Sequence, residues 1–165
     1  MPTYQRILLT VLVCCYFWHA ALTYADWHFI DYVNLIFHEA GHTIFYFFGM
    51  FIKIAAGSAF QIMLPLALAL SFFRTKQKVS GALCLLWVGQ NFLNVSIYAA
   101  DASVMQLDLL GGDSVIHDWN YLLGAMELLG HAAAVGLTLR IIGIAIIFVG
   151  TALAVAWASE KEESI

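Results

Sequence analysis

YVNLIFHEAGHTIFYFFGMFI, residues 32–52, is 21 residues long and carries a single formal charge, Glu39, flanked by His38 and His42. A helix needs about 20 apolar residues to cross the ~30 Å hydrocarbon core of a bilayer, so this stretch has spanning length with an ionisable trio set inside it. The rest of the chain decides whether the solvent is lipid. Of its 165 residues 62% are hydrophobic and 11% charged, and the mean hydropathy is +0.85. Soluble domains carry about 25% charged residues. One soluble core could not hide this much apolar surface. The expected class is therefore all-α, a polytopic transmembrane helix bundle forming one domain over residues 1–165, with the lipid bilayer as its main surroundings.

Six apolar stretches follow one another: 7–24, 32–52, 58–73, 79–100, 119–137 and 141–158. The first follows Arg6 and could imitate a signal peptide; it is read as the first transmembrane helix. The third is the shortest and contains Gln61 and Pro65. Gly124, Gly130, Gly136, Gly143 and Gly150 are expected to let the last two helices pack closely, as small residues do in membranes. Cys14, Cys15 and Cys84 sit in apolar runs without framework spacing and read as small hydrophobes. The formal charge of −4 and the absence of a basic patch exclude nucleic acid as a partner.

Charge placement suggests a topology. If all six stretches cross, Arg6, Lys53 and Lys161 share one side, and Arg74, Lys76, Lys78 and Arg140 the other, which decides nothing. If residues 58–73 dip in and return, turning near Pro65, every cation except Lys161 falls on one side. The positive-inside rule favours that arrangement. The expectation is five to six membrane segments, the third re-entrant, with a cytoplasmic N-terminus and an outer C-terminus.

His38 and His42 are four residues apart, which on an α-helix places both imidazoles on one face, able to grip one ion. Glu39 projects nearby, positioned to deprotonate a metal-bound water, whose pKa a metal lowers from ~15.7 to ~7. An ionisable group this deep in a span costs ~2.5–3.5 kcal/mol or more. Three within five positions call for a shared partner, and Zn2+ is the expected one. Gly41 leaves room for another backbone or a substrate.

A catalytic zinc takes three protein ligands and leaves a position for water. His117 is the favoured third ligand because imidazole suits zinc, with the pair Gly111 and Gly112 letting its segment fold onto the metal. Asp101 and Asp118 are the alternatives, the latter also readable as the N-cap of the fifth helix. Gln61 and Asn91, amides inside apolar stretches, need partners and could support the ligands or bind a substrate carbonyl. His19 and His28 read as interfacial, and His131 as a helix–helix hydrogen bonder.

Phe37-His38-Glu39-Ala40-Gly41-His42 inside a membrane helix resembles the signature of site-2-type intramembrane zinc metalloproteases. The resemblance implies zinc on the histidines, the glutamate as general base, and an aspartate from a later helix as a further ligand. Asp101 after Asn94 is the nearest counterpart, without the Pro and Gly of that family's pattern. The chain is also similar to a small, poorly characterised group of bacterial membrane proteins. The shared features are His38–His42, Gly57-Ser58-x-x-Gln61, Trp87-x-Gly89-x-Asn91, Tyr98-x-x-Asp101-Ala102 and Gly111-Gly112…His117-Asp118-Trp119. This second resemblance favours His117 and implies a bacterial inner membrane. The expected function is a zinc-dependent intramembrane hydrolase, a peptidase acting on a membrane-protein substrate. The alternative is a non-catalytic zinc protein, a structural or accessory subunit among partner subunits of a membrane complex.

Overall fold

The computed structural model describes residues 3–107 and 116–160, and all regular structure among them is helical. Six α-helices follow in order: α1 (Thr3–Leu22), α2 (Phe29–Ile44), α3 (Met50–Arg74), α4 (Lys78–Asp101), α5 (Asp118–Ala125) and α6 (Ala132–Ser159). Single 3-10 turns, Tyr46–Phe48 and Leu129–His131, lead into α3 and α6. Four segments are long and apolar enough to cross a membrane: Thr3–Leu22, Met50–Arg74, Lys78–Asp101 and Leu129–Ser159. At 1.5 Å per residue they measure about 30–46 Å. This build is consistent with an integral membrane protein. At 16 residues, about 24 Å, α2 falls short of that length.

The helix α4 is the hub, packed on α1, α3 and α6. Its contact with α6 is close because α6 offers glycines there. A Cβ on Gly136 would stand 2.7 Å from the carbonyl of Ser96, and one on Gly143 2.7 Å from that of Gly89. These two, with Gly150, act as the sequence suggested; Gly124 and Gly130 do not, lying in looser surroundings. Leu86, Leu93 and Ile147 are sealed between the helices.

Side-chain bonds fix the helix directions. Arg6 on α1 donates to the carbonyl of Ala158 at the end of α6, and Lys78 at the start of α4 pairs with Glu160 at 3.1 Å. The starts of α1 and α4 and the ends of α3 and α6 therefore share one end of the bundle. This corrects the expectation of termini on opposite sides: Thr3 and Ser159 belong to the same end.

Two further expectations are corrected. Residues 58–73 do not turn back at Pro65; α3 runs through it. Proline removes one helical hydrogen bond, but in a packed membrane bundle neighbours can satisfy the freed group, and Pro65 is fully buried. The last two stretches are also divided differently. Residues 119–137 break at Glu127, in the left-handed region at φ 58°, whereas α6 continues through Arg140. That guanidinium is no loop marker, because it donates to the Tyr24 hydroxyl and lies over the Tyr24 ring, 5.2 Å from its centroid. The five to six crossings reduce to four helices of spanning length.

In α2 the usual amphipathic logic is reversed. Its buried residues are Asp31, Asn34, His38 and Gly41, whereas Phe29, Tyr32 and Ile36 are exposed. A helix in lipid can turn apolar residues outward and hide its polar face against its neighbours. The polar face of α2 lies against α3 and α4.

Candidate metal centre

Gly41 and Gly57 bring α2 and α3 together. A Cβ on Gly41 would stand 2.3 Å from the Ala56 carbonyl oxygen, so the space the sequence left at Gly41 is filled by the α3 backbone. Gly57 lies beneath the two imidazoles, and a Cβ there would stand 2.6 Å from His42 Nε2 and 2.7 Å from His38 Nε2. Only a glycine leaves room for both rings against α3.

The rings converge on one carboxylate oxygen. His38 Nε2 lies 2.8 Å and His42 Nε2 3.1 Å from Asp118 Oδ2. On the far side of each ring stands another acceptor, Gln61 Oε1 at 2.7 Å from His38 Nδ1 and the Lys53 carbonyl at 2.8 Å from His42 Nδ1. His38, His42 and Asp118 form a group whose donor atoms all lie within 4.8 Å of one another, able to hold a metal ion. Around a tetrahedral ion with bonds of about 2.0–2.2 Å, ligand atoms stand roughly 3.3 Å apart. The ring nitrogens and Asp118 Oδ2 therefore need to part by only a few tenths of an ångström. The outward Nδ1 contacts match the arrangement that orients metal-bound histidines.

Asp118 is the first residue of α5. Its side chain is buried, and both rings meet it at the same oxygen. Its backbone N–H donates to the Tyr98 hydroxyl at 3.3 Å.

The structure brings Asp118, not His117, against the two histidines. His117 caps α5 instead, its Nδ1 accepting from the Asn120 N–H at 3.1 Å. Its Nε2 faces Asp101 Oδ2 at 3.3 Å, and its ring stacks on Tyr98 with centroids 4.2 Å apart. Asp101 also accepts from the N–H groups of Gln106 and Leu107, so it holds the chain after α4 rather than joining the cluster. The N-cap role weighed for Asp118 thus falls to its neighbour. Gly111 and Gly112, with Asp108, Asp113 and Lys161, lie outside the described residues.

Gln61 and Asn91 lie behind His38 in one hydrogen-bonded chain. Gln61 Nε2 donates to Asn91 Oδ1 and Asn94 Oδ1, each at 3.0 Å, leaving Oε1 for His38. Trp119 donates to Ser58 Oγ at 3.1 Å, fastening α5 to α3 beside Gly57. Gln61 lies about 16 Å along α3 from its Met50 end and 20 Å from its Arg74 end, so the centre stands near mid-height of that helix. His28 meets Thr23 Oγ1 at 2.8 Å and His19 edge-on, away from the cluster.

A cavity of about 700 Å³ opens onto this group, lined by His38, Glu39, His42, Asp118, Lys53 and Tyr98 among others. Glu39 is exposed and lines the same cavity as the three donors.

No protein-family model, curated protein or solved structure matches this chain.

Proposed function

We propose that this chain is a zinc-dependent intramembrane hydrolase, a peptidase, with His38, His42 and Asp118 as metal ligands and Glu39 as general base. One observation carries the metal. Each imidazole faces an acceptor on both sides, Gln61 or Lys53 at Nδ1 and Asp118 at Nε2. A neutral imidazole has only one N–H. The contacts can be met by two imidazolium ions with ring centroids 4.7 Å apart against one carboxylate, or by one cation bound at both Nε2 atoms. Either arrangement leaves one net positive charge with Asp118, but the first sets two like charges side by side, whereas a single ion bonds both ring nitrogens directly.

Two imidazoles and a carboxylate suit zinc, and three protein ligands are the number that leaves a catalytic position open. The cavity that opens onto the three donors is also lined by Glu39. Zinc held there would supply a water acidic enough to ionise near neutral pH and would polarise a carbonyl. The carboxylate of Glu39 takes the water's proton and returns it to the leaving amine. Gln61 and the Lys53 carbonyl keep the rings oriented, and the Tyr98 hydroxyl steadies the start of α5. Two motif histidines with an aspartate from a later segment also form the donor set that the site-2-type resemblance implies, with Asp118 in the aspartate's role. The cations Arg6, Arg74, Lys76 and Lys78 gather at the end where the helix termini meet, so by the positive-inside rule that end is cytoplasmic in a bacterial inner membrane.

The test uses purified protein reconstituted in liposomes with a pool of transmembrane peptides, cleavage being read by mass spectrometry. Wild type with zinc cleaves, whereas Glu39→Gln keeps the metal and loses about 10²- to 10⁴-fold in rate, the contribution of general acid–base catalysis. Cleavage by Glu39→Gln at the wild-type rate contradicts the mechanism. Zinc retention without cleavage in wild type points to the accessory-subunit role.

A further inference from the structure

Asp31 also lines the cavity, and it is 4% exposed. It touches no member of the metal group. Its Oδ1 accepts from Gln90 Nε2 at 2.7 Å and Asn94 Nδ2 at 3.0 Å, and its Oδ2 accepts from the His28 N–H at 2.8 Å. A carboxylate only accepts, so every amide facing it must turn its NH2 end inward.

That requirement is passed along a chain of side chains. With Nδ2 committed to Asp31, Asn94 presents Oδ1 to Gln61 Nε2 at 3.0 Å. With Nε2 so engaged, Gln61 presents Oε1 to His38 Nδ1 at 2.7 Å. His38 must then carry its proton on Nδ1 and its lone pair on Nε2, the atom aimed at the metal position. Reversing one amide sets two donors or two acceptors face to face, which in a buried network is costly. His42 needs no such relay, because the Lys53 backbone carbonyl can only accept. Asn91 is a second hold on Gln61, its own Nδ2 fixed by the Trp87 carbonyl at 3.0 Å.

We propose that Asp31 is a positioning residue of the metal centre, setting the tautomer of His38 through Asn94 and Gln61. The proposal rests on the metal site described above. The plainer role for Asp31, tying α2 to α4 and to its own start, predicts a loss of stability and no separate effect on the metal.

Zinc affinity, by chelator competition in detergent, and thermal unfolding of the same samples tell the roles apart. In Asp31→Leu both acceptor oxygens are lost and Asn94 loses the bond that orients it, so zinc binding weakens about tenfold, the lower end of the usual supporting-group effect because Asn91 still holds Gln61. Asn94→Leu cuts the path while leaving the His28 and Gln90 bonds to Asp31, and it weakens zinc to a similar degree. The exchange Asp31→Asn with Asn94→Asp moves the carboxylate one link nearer. It restores the polarity toward Gln61 but leaves mismatched the branch in which Gln90 accepts from Asn34 Nδ2 at 2.7 Å and Asn34 from Trp87 Nε1 at 2.8 Å, so zinc affinity recovers and thermal stability does not. Wild-type affinity in both single variants, or affinity that follows stability across all three, overturns the proposal and leaves the metal site standing. If wild type itself binds no zinc, the metal site and the proposal fall together.

Discussion

Replacing Gly57 by alanine tests the packing on which the metal centre depends. The added methyl would stand 2.5 Å from His42 Cε1, 2.6 Å from His42 Nε2 and 2.7 Å from His38 Nε2. Ordinary contacts between such atoms are about 3.5–4.0 Å, so each ring must retreat by roughly 1 Å. Neither is free to do so, with His38 held between Gln61 and Asp118 and His42 between Lys53 and Asp118. Metal–ligand distances tolerate only about ±0.2 Å. Overpacking of this kind costs ~1–3 kcal/mol. If that cost falls on the bound state, zinc affinity drops about 5- to 150-fold, at 1.4 kcal/mol per factor of ten. The assay is chelator competition on detergent-purified protein, with circular dichroism confirming helix content. Gly130→Ala is the control, since an added Cβ there meets nothing within 4 Å. Zinc affinity in Gly57→Ala equal to that of the control would refute the placement of the rings over α3.

Other outcomes follow from the same contacts. Tyr24→Phe removes the hydroxyl that accepts from Arg140 but keeps the ring beneath it; losing a hydrogen bond to a charged group lowers stability by ~1.5–3 kcal/mol in mixed-micelle unfolding. Tags placed at each end of the chain are protected or modified together in vesicles, because the outer ends of α1 and α6 meet at Arg6 and Ala158. Opposite accessibility of the two tags would contradict the shared end of α1 and α6.

The residues themselves disclosed the helical class and the histidine pair, because both depend on local spacing: apolar runs of bilayer length and an i, i+4 pair on one face. Gln61 and Asn91 were legible as supporting groups since a buried amide must find a partner. Three features were not. Pro65 and Arg140 look like breaks to a reader of local propensity, and tertiary partners overrule both. The choice between His117 and Asp118 is a matter of one residue at a helix start. There the cap residue turns back to bond Asn120 while the next residue faces the cluster, and imidazole's preference for zinc cannot reveal that phase. Asp31 did leave a signal. Asp31, Asn34, His38 and Gly41 recur at helical spacing, a polar face on an otherwise apolar helix, but its place before the apolar run made it look like part of a loop.

Zinc per chain in purified wild type, Asp118→Ala and His117→Ala shows whether His38, His42 and Asp118 hold one metal ion. Close to one zinc per chain is expected in wild type, near-complete loss in Asp118→Ala, and retention in His117→Ala, whose ring packs on Tyr98 and caps α5 without entering the cluster. Full zinc in Asp118→Ala together with loss in His117→Ala would contradict that ligand set.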